Sequence, residues 1–368
     1  MRKLKAYLRM LSAIGPGMKA GQQIDQIFRY YILHALEEVG LFEYVKEPRT
    51  YGEILAKFGF VDSTYTRDVI NTISMDKQPS VIHENDFYGR NPEVPIPSLE
   101  DVLEAAPSRL HVGRYLGEGL YENIQDRLRE NNRDIEGVFV RDDQRLVTNL
   151  KQLLESPLYT KVRIGCFDLL PRDQRDWLKG KKLLEIGCGN GYETAELWIH
   201  TKGQVNITGI DLVPNMIEMA EEKFESYLDQ LDPNHPPLTD LNKPHFFVGD
   251  LMNLEYEQNS FDASYTMLVL HWVPDPKRAI REIVRVVKPG GLIFGAQPIK
   301  PYINPYVDLI IRSSRNSNGF FWRQDFVQWF REYGLQTEIV SPAGIFRVTN
   351  DEEASELAVQ KEQLDGTN

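Results

Sequence analysis

From Lys181 to about residue 350 the sequence alternates between short apolar runs and longer amphipathic segments. Each short run has the length of a buried strand, and each amphipathic segment has the three-to-four spacing of a helix. Strands and helices that alternate in this way predict a doubly wound parallel sheet with helices on both faces. No other feature of the sequence restricts the fold as much.

The individual elements follow from where these runs begin and end. Strands are predicted at 182–186, 206–212, 245–249, 261–270 and 291–296, and helices at 192–201, 214–228, 276–287 and 323–333. Two last strands, 335–340 and 345–349, are separated by only four residues and should form an antiparallel hairpin. The sequence therefore predicts an α/β chain whose sheet is parallel except at its closing pair.

The stretch Leu183–Gly191 predicts a strand, a glycine turn and the start of a helix. Glycines at 187, 189 and 191 allow a tight turn and let a ligand approach bare main chain, because no Cβ stands in the way. The following helix would aim its free N–H groups and positive dipole end at that ligand. A dinucleotide-binding turn has the pattern G-x-G-x-x-G, whereas this chain has G-x-G-x-G with Glu185 in the strand before it.

Two carboxylates follow the next two strands. Asp211 ends the second strand, twenty residues after Gly191, where a carboxylate can accept both ribose hydroxyls of a nucleoside. Such an aspartate also occurs in nicotinamide enzymes. Asp250 follows the third strand and, taken singly, is equally well explained as a helix cap.

These residues resemble a known family in order and spacing. Leu184–Gly191 resembles the first motif of class I S-adenosylmethionine-dependent methyltransferases. Three later segments are similar to the family's fourth strand, following helix and turn before the fifth strand, and Pro289-Gly290 is predicted to reverse the chain there: Ser260–Asp262, Leu270–Pro276 and Val287–Leu292. The resemblance covers 181 to about 350. It implies a Rossmann-like seven-stranded sheet with S-adenosylmethionine as cofactor and S-adenosylhomocysteine as product.

The resemblance also implies the cofactor-binding residues. The glycine turn would lie against the methionine end, Glu185 would help to place it, and Asp211 would hold the ribose. Apolar residues would contact the adenine, and Asp250 with the backbone N–H of Leu251 would bind its edge. Met267 is either a contact of the methionine moiety or a core residue. The complete predicted set is Glu185, Gly187, Cys188, Gly189, Gly191, Asp211, Leu212, Met216, Asp250, Leu251 and Met267.

His271 is the candidate catalytic residue, because it follows the fourth strand at the carboxyl edge of the sheet, where ligands bind. In phenolic O-methyltransferases a His-Asp-Trp segment supplies the base. Here His271 matches the histidine, Trp272 and Val273 replace the other two residues, and Asp275 offers an acid further on. Quinone-type C-methyltransferases carry a nearby histidine without needing it as a base. His271 is therefore either a base or a pocket-lining or capping residue.

A missing base would not exclude the activity. Methyl transfer from a sulfonium is an in-line displacement with a good leaving group, so the protein mainly aligns the acceptor and excludes water. Alignment contributes roughly 7 to 11 kcal/mol in favourable cases, whereas a general base adds about 10² to 10⁴-fold in rate.

Residues 19–100 have the order helix, helix, helix, hairpin that is typical of a winged helix. The helices are predicted near 21–45, 51–58 and 63–75, the last capped by Asp62 or Ser63, and the hairpin at 80–89. Between residues 20 and 100 seven Lys and Arg stand against thirteen Asp and Glu, which argues against DNA binding. The pattern resembles the domain that precedes acetylserotonin and plant phenolic O-methyltransferases, where it serves dimerisation and substrate covering.

An apolar stripe on the first helix, formed by Ile24, Ile27, Phe28 and Tyr31, predicts a homodimer through this domain. Residues 1–18 form a basic amphipathic segment that could rest on a lipid surface or be a solvated or dimer-packing helix. Residues 101–180 form a helical connector, and 351–368 form an acidic tail. The aromatic side chains of the connector are either walls of a substrate pocket or helix-packing core: Tyr115, Tyr121, Phe139, Tyr159 and Phe167.

Composition narrows the functional classes. A net charge of −12 argues against a nucleic-acid partner. Two cysteines give no disulfide framework and no metal-ligand spacing, which is typical of the cytosol. No apolar run of about 18 residues and no signal-peptide core occurs. We expect a cytoplasmic enzyme that methylates a small apolar or aromatic acceptor at oxygen or carbon. The alternative is a catalytically silent protein of the same fold that binds S-adenosylmethionine in a regulatory or structural role.

Overall fold

A computed structural model describes residues 18–105, 112–130, 151–152, 154–301, 303–314, 317–340 and 344–350. The basic N-terminal segment, the acidic tail, Phe139 and most of the predicted closing turn lie outside these ranges. The described residues divide into two compact units. The helical unit holds those from 18 to 156 together with 303–319, and the sheet unit holds the remainder.

The helical unit begins with three helices and a small sheet, in an order close to the predicted one. The elements are α1 Met18–Glu38, α2 Leu41–Tyr44, β1 Arg49–Thr50, α3 Tyr51–Phe58, α4 Thr64–Met75, β2 Val81–Glu84 and β3 Phe87–Arg90. The three strands are antiparallel in the order β1-β3-β2. Of the two capping candidates, Ser63 caps α4, since its hydroxyl accepts from the Thr66 N–H at 3.1 Å. Three more helices follow: α5 Leu99–Ala105, α6 Val112–Leu120 and α7 Glu122–Arg129.

The described part of the apolar stripe of α1 is buried inside the helical unit. Ile27, Phe28 and Tyr31 are at most 6% exposed. Gly117 of α6 lies so close to the Tyr31 ring that a Cβ at residue 117 would fall 2.1 Å from it. The described part of this stripe therefore packs within one protomer and does not form the free dimer face that the sequence predicted.

The sheet unit contains the predicted alternation of strands and helices. Its elements are α8 Pro157–Leu169, α9 Arg172–Trp177, β4 Lys182–Ile186, α10 Tyr192–His200, β5 Asn206–Asp211, α11 Pro214–Leu231, β6 His245–Val248, β7 Phe261–Met267, α12 Pro276–Val286, β8 Val287–Ala296, α14 Arg323–Arg331, β9 Leu335–Val340 and β10 Ile345–Asn350. The seven strands lie in the order β6-β5-β4-β7-β8-β10-β9. All pairs are parallel except those of β10 with β8 and β9. The predicted fold class is confirmed.

Each face of this sheet is covered by its own apolar cluster. Leu183 of β4 packs with α8, α10 and α11, whereas Leu184 and Ile186 pack with α12 and α14 on the other face. Successive residues of a strand point to opposite faces. Glu185 therefore faces the side of α8 and α10.

The predicted turn at Pro289-Gly290 lies inside a strand instead of before it. Pro289 and Gly290 lie within β8, which begins at Val287. Phe261 pairs with Val287 and Ala263 pairs with Leu292, so β8 carries extra residues in a bulge opposite β7. Gly290 has φ 73°, and the bulge needs this left-handed conformation. The proline and glycine thus bend a strand instead of reversing the chain.

The sequence analysis did not predict α13 Pro305–Ser313, which belongs to the helical unit although it lies between strands of the sheet in sequence. Its Tyr306, Leu309 and Ile310 are buried. Within the described residues, no helix is both long and apolar enough to cross a membrane.

Candidate cofactor and active site

The glycine turn after β4 is held against the end of β5. The N–H groups of Gly187 and Cys188 both donate to the Ile210 carbonyl, at 2.8 and 3.0 Å. Gly187, Gly189 and Gly191 all have positive φ, at 73°, 53° and 83°. Other residues rarely adopt this conformation, and a Cβ at Gly187 would lie 2.3 Å from a methyl group of Val269. The positive φ angles of the turn therefore favour glycine at positions 187, 189 and 191.

Asp211 ties the turn to the loop after β5. One carboxylate oxygen accepts from the Gly189 N–H and the other from the Val213 N–H, both at 3.0 Å. Burial raises the pKa of this carboxyl group, while the backbone N–H groups lower it. Each oxygen keeps a second lone pair for a ligand hydroxyl. Asp211, which was predicted to bind the ribose, therefore also stabilises the glycine turn. The sequence analysis did not identify this second role.

The residues predicted to hold the adenine differ in exposure. Leu212 is 47% exposed, whereas Met216 and Leu251 are buried. Asp250 is exposed, and its Oδ1 accepts from the Met252 N–H at 2.8 Å. Asp250 therefore shapes the turn that follows β6, although no helix begins there.

That turn is clamped from α12. Glu282 accepts from the Leu254 N–H at 3.1 Å, and Arg285 donates to the carbonyls of Leu254 and Tyr256 at 2.8 and 2.7 Å. Arg285 also pairs with Glu282 at 2.7 Å. The two side chains fix the loop that carries Asp250 and Leu251.

Glu185 is 1% exposed, and neither of its carboxylate oxygens has a hydrogen-bond partner. Burial, reinforced by the charge of Glu193, raises its pKa well above the usual range, although Thr194 and Arg163 act in the opposite direction. An ionised carboxylate in this position needs a cation or donors. The ammonium group of S-adenosylmethionine would supply both, so Glu185 fits that cofactor.

His271 lies just beyond β7 and is buried. Its Nδ1 lies 3.2 Å from Nε2 and 3.5 Å from Oε1 of the Gln297 side chain, and this Nε2 also donates to the Pro298 carbonyl at 3.1 Å. The Phe320 ring stacks on the imidazole with centroids 4.6 Å apart. Burial lowers the pKa of His271 to about 3, so the ring is neutral at physiological pH. Asp275 instead caps α12 by accepting from the Arg278 N–H at 2.9 Å.

Cys188 and Met267 are both buried. The Cys188 side chain faces Gly209 of β5, where a Cβ would approach it to 3.0 Å. Burial raises the pKa of the thiol well above its usual range, so it is not a reactive cysteine. The Tyr265 hydroxyl donates to the Met267 sulfur at 3.7 Å. Leu268 directly follows β7 and has φ 58°, a strained conformation for leucine at the edge where the site lies.

Gln297 and Glu193 were missed in the sequence analysis. Gln297 immediately follows β8, and a polar residue at the carboxyl end of a buried strand was the available signal. Glu193 is the second residue of α10 and is buried, but nothing in its surroundings in the sequence marks it.

Comparison with known proteins places these residues in a family domain. Residues 184–295 match the family model described as a methyltransferase domain. A demethylmenaquinone methyltransferase of Staphylococcus haemolyticus is 34% identical over 122 residues, which are 33% of this chain and 45% of that protein. A ubiquinone biosynthesis O-methyltransferase of Coxiella burnetii is 28% identical over 173 residues, 45% of this chain and 67% of that protein. The chain thus spans less than half of the first of these relatives.

Among solved structures, the CurJ carbon methyltransferase superposes with a TM-score of 0.66 at 16% identity, covering 95% of this chain and 97% of that one. This likeness concerns the fold. The family model covers the glycine turn, Asp211, Asp250 and His271. Residues 184–295 therefore form a methyltransferase domain.

Proposed function

We propose that this protein transfers the methyl group of S-adenosylmethionine to oxygen or carbon of a small, largely apolar or aromatic acceptor. The observation that carries the proposal is the arrangement at the carboxyl edge of the sheet. Asp211 braces the glycine turn there, and Glu185 lies buried beneath the turn with both oxygens unpartnered. The curated relatives support an apolar acceptor, because their names give demethylmenaquinone as one substrate and ubiquinone biosynthesis as one pathway.

In this proposal each group of residues has a distinct task. The glycine turn and Glu185 hold the methionine end of the cofactor, Asp211 accepts from the ribose hydroxyls, and the clamped loop with Asp250 and Leu251 receives the adenine. Leu212 and Met216 supply apolar contacts, and Met267 lines the methionine end. The bound cofactor supplies an activated methyl group on a sulfonium. The protein therefore contributes alignment and exclusion of water.

His271 orients the acceptor. With the Gln297 amide donating to Nδ1, the shorter of its two contacts, the proton of the neutral ring is on Nε2, and the ring orients the acceptor without taking a proton from it. A base at Nε2 would require Gln297 to turn its Oε1, now 3.5 Å from Nδ1, toward the ring. The observed arrangement favours alignment over proton abstraction.

Residues 19–100 are proposed to be a winged-helix dimerisation domain. The three-stranded sheet and preceding helices support this assignment, and exposed Met75, Ile82 and Phe87 offer apolar surface before residue 110. A dimeric mass in light scattering at micromolar concentration is expected, and a monomeric mass would contradict it. The cytosolic location is also a proposal, supported by two free, buried cysteines.

Calorimetry with S-adenosylmethionine tests the proposed function. Wild-type protein should bind, whereas Gly189→Arg and Asp211→Ala should each lose most of the affinity. A matched control is Asp240→Ala, at an exposed position outside the site. Binding that these two site variants leave unchanged would contradict the proposed site. Formation of S-adenosylhomocysteine with fractionated cell extract as acceptor distinguishes an enzyme from a silent binding protein.

A further inference from the structure

Glu193 of α10 is a buried carboxyl group for which the assigned cofactor contacts provide no role. It is 6% exposed, and its Oε1 has no hydrogen-bond partner. Glu185, with two unpartnered oxygens, interacts electrostatically with it. Two carboxyl groups buried together in this way are costly when both are ionised, because each lacks solvation and they repel one another.

The neighbouring charges do not resolve this repulsion. The groups that interact with Glu193 come from three elements besides β4 and from the glycine turn: Tyr159, Arg163 and Cys166 of α8, Cys188 of the turn, Glu196 of α10 and Tyr265 of β7. Arg163 is the one cation among them, and its guanidinium already donates to Glu196. Three carboxyl groups thus share one guanidinium.

These surroundings favour the protonated form of the pair. Burial raises the pKa of Glu193 to about 7, against the opposing effects of Arg163 and the Tyr265 hydroxyl. The pKa of Glu185 is also raised. A cation placed between two carboxylates favours their ionised forms. Any cationic ligand at this position must therefore displace a proton.

On the basis of the proposed function, we propose that Glu193 acts with Glu185 as a two-carboxylate receptor for the positively charged methionine end of S-adenosylmethionine, and that binding expels a proton from this pair. The proton passes to the buffer, and no other bond is broken. Glu193 is thereby a cofactor-binding residue outside the predicted set. The ammonium and sulfonium groups of the cofactor provide the charge that the pair lacks.

The sign of the pH effect follows from linkage. A carboxyl group that titrates near 7 in the free protein and is ionised in the complex makes binding tighter as pH rises, by about tenfold from pH 6 to pH 8. The same group releases about half a proton on binding at pH 7. At pH values above the pKa of Glu193, this residue is already ionised in the free protein and no longer makes the affinity for S-adenosylmethionine depend on pH.

Isothermal titration calorimetry of the full chain with S-adenosylmethionine, in phosphate and in Tris at pH 7, measures the released protons. Glu193→Gln keeps the shape of the protonated side chain and should release about half a proton fewer than wild type. At pH 8 it should bind at least tenfold more weakly, with a smaller difference at pH 6. Glu221→Gln, at an exposed position of α11, is the matched control.

The difference in proton release between wild type and Glu193→Gln does not include the titration of the cofactor itself. Its amino group ionises at about 7.7–8.0 and contributes equally to both measurements. Equal proton release and equal affinity in wild type and a folded Glu193→Gln overturn the inference. A wild-type binding enthalpy that is identical in the two buffers overturns it as well, whatever the variant does. Wild-type protein that does not bind S-adenosylmethionine at any pH overturns the proposed function instead.

Discussion

At the scale of single residues, the proposed active site contains a neutral, buried histidine. His271→Ala should slow methyl transfer more than about tenfold, because it removes the group that is proposed to orient the acceptor. The affinity for S-adenosylmethionine should be nearly unchanged. Single-turnover rates and calorimetry measure the two quantities separately. A wild-type rate in this variant would show that alignment comes from other residues.

Gln297 contacts Nδ1 of His271, so we expect its side chain to influence which ring nitrogen carries the proton. Gln297→Glu would place a carboxylate at Nδ1, which favours the imidazolium and raises the pKa of His271. The rate of wild-type protein should show no histidine inflection between pH 5.5 and 7.5, since that pKa is about 3. The variant should introduce one. Gln258→Glu, at an exposed position, is the control, and identical pH profiles for all three proteins would contradict this role.

The sequence predicts the motif residues of the site better than it predicts the hydrogen bonds and the burial around them. The glycines and Asp211 were predictable because their chemistry depends on strand ends and spacing. The bond from Gly189 to Asp211 and the partnership of His271 with Gln297 were not, because they join distant parts of the chain. Burial also raises the pKa of Glu193, and a single sequence does not show that an isolated glutamate is buried.

At the scale of elements, α12 controls the loop after β6. Arg285→Leu would leave the carbonyls of Leu254 and Tyr256 without their charged donor, and each such bond contributes about 1.5–3 kcal/mol. Hydrogen exchange across 250–257 should accelerate, and the affinity for S-adenosylmethionine should fall by roughly tenfold or more. Arg281→Leu, at an exposed position of the same helix, should change neither. An unaltered exchange rate in Arg285→Leu would contradict the clamp.

Most sheet elements were predicted to within a few residues, because each is an apolar run bounded by polar or glycine residues. The bulge in β8 was misjudged, since Pro289-Gly290 is typical of a turn and only pairing with β7 distinguishes the two cases. The α1 stripe was also ambiguous. An apolar helix face packs equally well inside a protomer or against a second one, and sequence alone does not distinguish these partners.

At the scale of the whole molecule, His271 also makes stability depend on pH. Its pKa is lowered by burial from 6.5 to about 3, so the unfolded chain binds more protons below pH 6.5. The contribution of His271 to the free energy of unfolding is fully present above pH 6.5. Its loss should lower that free energy by about 2 kcal/mol at pH 5. The raised pKa of Glu193 acts in the opposite direction, since its contribution to stability is present below about pH 4.5 and is lost as the pH rises through about 7. The raised pKa of Glu185 acts in the same direction as that of Glu193. Urea unfolding of wild type and His271→Leu at pH 7.5 and 5 isolates the histidine effect, and equal losses in both would contradict it.

The path of the chain makes residues 303–319 an insertion into the sheet unit. The Lys300 N–H donates to the Phe321 carbonyl at 2.9 Å, and the Arg323 N–H donates to the Lys300 carbonyl at 3.3 Å. The chain therefore leaves and re-enters this unit at adjacent points. Loops whose ends are adjacent can be shortened at little entropic cost.

This geometry predicts which truncation of the protein remains soluble. A protein of residues 157–350 with 303–319 replaced by about six Gly and Ser residues should stay monomeric and keep cooperative thermal unfolding. The same truncation with the native insertion should aggregate, because Tyr306, Leu309 and Ile310 would lose the helical unit that buries them. Light scattering and calorimetry compare the two. Equal solubility of both proteins would contradict the assignment of α13 to the helical unit, and failure of both to fold would show that the sheet unit depends on the rest of the chain.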